Sequence, residues 1–283
     1  MPIPSGFVTD SRSEPYKHTP VETNAIGWDE NGDLMFVFLK GEVPQGVQNQ
    51  ALNGLKAMHF TNCNESLRKE LQRANWFNVS EGQQNPVVAE EVNAGFGARS
   101  YIYDLGATKK YHKQNTQALQ ELKPLLGEMG DKFALVLPKL FGHHNAKVRP
   151  PFRLCGTVPF SSLTLLRSAP AAVHVDHNGK KMYACMTSVA PDDPPKYSGG
   201  TFCLAQYGLA FAVRPGDLLI AATSEHEHCN LSPVIGEKYS VIAYVKNIIT
   251  NKRMREEYMA CPQNPGGRRF PKRKSKLMQP AKN

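Results

Sequence analysis

The chain has 283 residues, 41% of them hydrophobic and 21% charged, which is enough apolar material for one large buried core. No run of about 18 apolar residues occurs, and this excludes a helical membrane span. The net charge of +9 is concentrated at one end: from Gly266 onward there are seven basic residues and no acidic one, leaving +2 for everything before.

Residues 1–25 are polar and broken by prolines, so a flexible leader is expected there. They lack the charged-then-apolar layout of a secretory signal. The protein is therefore expected inside the cell, with Cys63, Cys155, Cys185, Cys203, Cys229 and Cys261 as free thiols. No Cys-x-x-Cys pair supports a zinc ribbon or a redox dithiol.

A single domain is expected over residues 26–260, and after it a basic disordered tail over 261–283 that repels itself and has little to bury. Such a tail suits nucleic acid phosphates or nuclear import.

In chain order, the turn signal Glu30-Asn-Gly-Asp33 precedes a strand-like run, Leu34–Leu39. Leu67, Leu71 and Ala74 give Ser66–Trp76 a short amphipathic helix, and Ser100–Tyr103 reads as a strand. Leu119, Leu122, Leu126, Met129, Phe133, Leu137 and Leu140 then recur every three or four residues, predicting a long helix packed on a sheet and restarted or kinked at Pro124. His143-His144 reads as a loop after it.

From Arg153 onward, short runs are separated by Gly, Pro, Asn and Asp: 162–166, 171–175, 181–189, 200–204, 210–213, 218–222 and 239–245. Closely spaced strands without intervening helices predict an antiparallel jelly roll at about 150–250. The fold class is α+β, a double-stranded β-helix core with supporting helices from the N-terminal half.

The histidines cluster. In a strand, His174 and Asp176 point to one face, with Val175 turned into the opposite layer. His228, on a later segment, is the candidate third donor. Two imidazoles and one carboxylate on one face leave about three positions of an octahedral ion open, the arrangement of non-haem Fe(II) oxygenases.

Several blocks stand in register: Phe152–Thr164, His174-Val-Asp176, Tyr197–Cys203, Val213–Leu219, His228-Cys-Asn230 and Tyr239–Tyr244. Over about residues 95–250 they resemble the oxygenase domain of the TET/JBP family. The resemblance implies Fe(II) held by His174, Asp176 and His228, with His226 as runner-up for the third ligand. His226 and His177 otherwise read as solvent-facing rim or as residues that orient a metal ligand.

It also implies 2-oxoglutarate as co-substrate, ascorbate as an accessory reductant, and hydroxylation of the methyl group of 5-methylcytosine or thymine in nucleic acid, DNA foremost. Lys238 stands ten residues after His228, where the family has an arginine that grips the far carboxylate of 2-oxoglutarate. Lysine keeps the charge but loses the bidentate fork, and Arg167 is the alternative anchor. Asn178-Gly179-Lys180 replaces the acidic residue that often contacts the base in the family.

Lys246, Lys252, Arg253 and Arg255, with the tail, are candidates for clamping phosphates around a flipped base. Three alternatives remain open: a dioxygenase of this fold acting on a protein side chain or small metabolite, one using another reductant, and a non-catalytic binding module.

Overall fold

The computed structural model describes residues 18–62, 90–95, 115–148, 153–156, 158–168, 171, 173–176, 181–191, 194–231 and 236–246. The expected helix at 66–76, the expected strand at 100–103, His177, the Lys252–Arg255 cluster and the basic tail lie outside the described residues.

The strands are β1 (Thr19–Val21), β2 (Ala25–Trp28), β3 (Leu34–Leu39), β4 (Thr61–Asn62), β5 (Glu90–Gly95), β6 (Ser162–Arg167), β7 (Ala184–Val189), β8 (Thr201–Leu204), β9 (Leu209–Phe211), β10 (Leu218–Ala221), β11 (His228–Leu231) and β12 (Tyr239–Tyr244). The α-helices are α1 (Gln45–Ala57), α2 (Thr116–Gln120), α3 (Lys123–Val136) and α4 (Pro138–Lys147).

Two sheets form a jelly roll. The larger has the order β2-β3-β10-β7-β12-β6-β5-β4, and the smaller β1-β9-β8-β11. The helices cover the outer face of the larger sheet, where Leu125, Leu126, Met129 and Phe133 pack with Leu163, Leu165, Cys185, Ile220 and Val241. Between the sheets lie Phe36, Phe38, Met186, Leu219, Phe202, Phe211 and Tyr244. A continuous apolar run such as Leu34–Leu39 suits this position, because the larger sheet is covered on both faces.

The predicted long helix exists as three pieces. Pro124 lies in the first turn of α3, where its missing N–H costs nothing. Leu137 (φ −129°, ψ 58°) breaks the chain before Pro138 opens α4, as the residue before a proline disfavours the α region. His143 and His144 are therefore helical, not a loop after the helix. His144 is fully buried, edge-on to Phe133 at 4.9 Å and to Phe160 at 5.9 Å.

The last residues of the expected leader, from Thr19, are ordered in the sheets. Thr19–Val21 pairs in parallel with β9, the Thr19 N–H donates to the Gly208 carbonyl at 2.7 Å, and Val21 packs against the inter-sheet core. Strand β2 follows at once. Gly27 is required there because a Cβ would collide with the Phe36 ring of β3.

Candidate metal and co-substrate site

The segment predicted as a strand at 171–175 is an extended strap attached to β11. His174 and His228 exchange both backbone hydrogen bonds, at 3.0 and 2.9 Å, and the Asn230 N–H donates to the Ala171 carbonyl at 3.0 Å. The Asp176 N–H donates to the Thr223 carbonyl beyond the end of β10, at 2.9 Å. Backbone pairing thus holds both ends of the His-Val-Asp triplet. Val175 does not enter the opposite layer: it and Val173 are 38% and 39% exposed, so the strap has one wet apolar side and one side carrying His174 and Asp176.

Ligand atoms of His174, Asp176 and His228 all lie within 4.8 Å of one another. Asp176 sits between the two imidazoles, with Oδ1 3.6 Å from His174 Nε2 and Oδ2 3.8 Å from His228 Nε2. The His228 Nδ1 lies 3.1 Å from the His226 carbonyl; donation there leaves Nε2 as a lone pair facing the carboxylate. Phe202 stacks on the His228 ring at 5.5 Å, restricting its rotation.

The electrostatics favour metal-ready protonation states. Burial disfavours the charge on Asp176, but the hydrogen bond from His174 and the neighbouring His228 imidazole outweigh it and hold the carboxyl below its usual range. Burial, reinforced by the nearby His174, pushes His228 downward and keeps it neutral. Deprotonated carboxylate and neutral imidazole are the forms that bind a cation.

His226 is not solvent-facing rim. It is buried, and its Nδ1 is hydrogen-bonded to the Tyr207 hydroxyl at 3.1 Å. Its backbone carbonyl meets His228, while its ring lies outside the three-donor cluster.

Lys238 immediately precedes β12 and crosses between the sheets. Its Nζ donates to the Gly200 carbonyl at 2.9 Å and lies over the Tyr197 ring at 5.5 Å. Gly199 and Gly200, both at positive φ, make the turn that presents this carbonyl. Lys238 is buried, and among the described residues no carboxylate lies within ion-pair distance of it. Burial, then the repulsion of Arg214, lower its pKa to about 8.

Arg167 does not share this position. It is paired in register with Tyr239, whose side chain belongs to the helix-covered face, and adjacent residues of a strand alternate faces. Its Nε lies 3.3 Å from Glu237 Oε1. The expectation of Arg167 as a substitute anchor is corrected on this ground.

The sequence reading missed Phe202, Tyr207 and Tyr197 as partners of the site. The signal available for Phe202 was its alternation with Leu204 along β8, which places both side chains between the sheets.

Facing sheets with an open cluster of two imidazoles and one carboxylate define the class of jelly-roll metal oxygenases. Residues 94–247 match the family described as the oxygenase domain of the 2OGFeDO superfamily, Tet_JBP, and the chain belongs to that family. It is a dioxygenase that uses Fe(II) and 2-oxoglutarate. The donor set fits the metal: three hard-to-borderline donors converge on one point, without thiolate.

Among solved structures, the chain is similar to "NgTET1 in complex with 5mC DNA", with a TM-score of 0.56 and 13% identity, covering 80% of this chain and 78% of that one. The rice dioxygenase for auxin oxidation follows with a TM-score of 0.39 and 13% identity, covering 74% and 72%. No curated protein sequence matches.

Proposed function

We propose that His174, Asp176 and His228 hold the iron, that Lys238 anchors the far carboxylate of 2-oxoglutarate, and that the enzyme hydroxylates the methyl group of a modified base, 5-methylcytosine or thymine, in DNA. The observation that carries the iron assignment is the convergence of the three donors within 4.8 Å. When bound, iron and co-substrate supply the oxidising power that inserts oxygen into a C–H bond.

The chain's own residues do the rest. The His226 carbonyl fixes the His228 tautomer, and the Phe202 ring holds that imidazole in plane. A buried ammonium without an acidic partner is a costly arrangement that a ligand carboxylate relieves. Among the described residues Lys238 meets that description, and there it donates one hydrogen bond, to Gly200, with two N–H groups left to give.

Support for a nucleic acid substrate comes from the family, from the DNA held by NgTET1, and from the seven basic residues after Gly266. A base in a duplex must be flipped out to reach a recessed metal. Lys246 lies over the Tyr244 ring at 4.8 Å and is the described member of the proposed phosphate clamp. The same tail supports a nuclear location.

Methylated DNA incubated with the protein, Fe(II), 2-oxoglutarate and ascorbate, then digested for nucleoside mass spectrometry, tests the reading. Oxidised 5-methylcytosine or oxidised thymine is the expected product. No oxidised base under any co-substrate condition overturns it in favour of a protein side chain or small metabolite as substrate.

A further inference from the structure

A cavity of about 500 Å³ opens beside α1, away from the three donors. Arg214 and Pro215, which line it, precede β10, whereas Thr223, which accepts the Asp176 N–H, follows that strand. The volume lies within the range of small-ligand sites.

Its walls are polar and preset. The buried Gln48 amide donates to the Val43 carbonyl at 2.7 Å, and Gln45 is hydrogen-bonded to Asn49 at 3.0 Å. The guanidinium of Arg214 lies 5.3 Å from the centre of the Tyr197 ring, a contact that holds its planar fork in one orientation.

The acid nearest in sequence is already engaged. Asp217 pairs with Lys40 Nζ at 2.6 Å and accepts the backbone N–H groups of Gly41 and Arg214 at 3.0 and 2.9 Å. Among the described residues, no carboxylate lies within ion-pair distance of the Arg214 guanidinium. A held, exposed fork at the wall of a polar cavity matches carboxylate or phosphate oxygens.

We propose that this cavity is a second ligand site, taking a small polar anion through Arg214, with the amides of Gln45 and Asn49 as further partners. The site is separate from the three metal donors, whereas Arg214 and Lys238 lie over the same Tyr197 ring, at 5.3 and 5.5 Å, so the two cations are told apart by substituting each in turn.

Titration calorimetry of the full-length protein with inorganic phosphate and, separately, with succinate tests the proposal. Saturable binding of at least one probe is expected, weakened at least about tenfold in Arg214→Gln, to a smaller degree in Arg214→Lys, and unchanged in Asp176→Ala. The probe that binds distinguishes a phosphate from a carboxylate ligand. Absence of saturable binding by both probes overturns the proposal. So does binding unchanged in an Arg214→Gln protein whose thermal unfolding matches the parent, or binding lost in Lys238→Ala but kept in Arg214→Gln, which would place the anion between the sheets.

Discussion

The two faces of the larger sheet bury polar groups in opposite ways. Under the helices, His144 is surrounded by Phe133 and Phe160, and its Nε2 accepts the Tyr183 N–H at 3.1 Å. Burial drives its pKa down to about 3, so it is a neutral core residue with its acceptor used. On the face towards the smaller sheet, His228 keeps a lone pair directed at Asp176, and Lys238 is buried with, among the described residues, no carboxylate within ion-pair distance. Buried imidazole alone therefore does not mark a site. Nor does an unpartnered buried atom, since the His144 Nδ1 has no hydrogen-bond partner either; what marks the site is the convergence of three donors from separate segments within 4.8 Å.

The largest effect is expected at Asp176. Asp176→Ala is expected to abolish turnover, exceeding the roughly 100-fold loss typical of outer partners of a metal ligand; product formation by mass spectrometry measures it. Next comes Lys238→Ala, expected to raise the KM for 2-oxoglutarate by about 30-fold or more, the effect of removing about 2 kcal/mol from a buried charge pair, with a smaller change in kcat.

The pH profile sharpens the same point. Lys238 is charged below its pKa of about 8, so kcat/KM for 2-oxoglutarate should fall as pH rises through that value, and Lys238→Arg should remove the fall.

On the helical face the sign is reversed. The folded pKa of His144 lies below the ordinary 6.5, so the unfolded chain binds more protons between those values. Stability is complete above 6.5 and is lost as pH falls towards about 3, by at most about 1.4 kcal/mol per pH unit. Urea unfolding across that window measures the slope, and His144→Gln, which still accepts from Tyr183, should flatten it. The smallest effect belongs to Leu135, which is 74% exposed on α3: Leu135→Lys should change stability by less than about 0.5 kcal/mol.

The jelly roll was legible because its strands alternate or run apolar between clear turn residues, as in Leu34–Leu39 and Tyr239–Tyr244. The donor triplet was legible because period-two geometry puts His174 and Asp176 on one side wherever the chain is extended, even in a strap that is barely a strand. His144 was misread because its histidine pair and Gly142 looked like a loop, although Leu140, Phe141, His144 and Val148 continue the helical stripe. Strands β1 and β2 were missed because Thr19-Pro-Val and Ala-Ile-Gly-Trp28 carry weak local propensity. Their pairing with β9 and β3 is set by distant partners. Arg167 and Lys238 could not be separated by spacing, since only the register with β12 shows which face each occupies.

The account rests on one ion being held jointly by three side chains from the strap and β11. Anaerobic calorimetric titration of the full-length protein with Fe(II) tests this most directly. One equivalent should bind to the parent, and binding should be lost in Asp176→Ala while the circular dichroism stays unchanged. Unaltered Fe(II) affinity in that folded variant would contradict it.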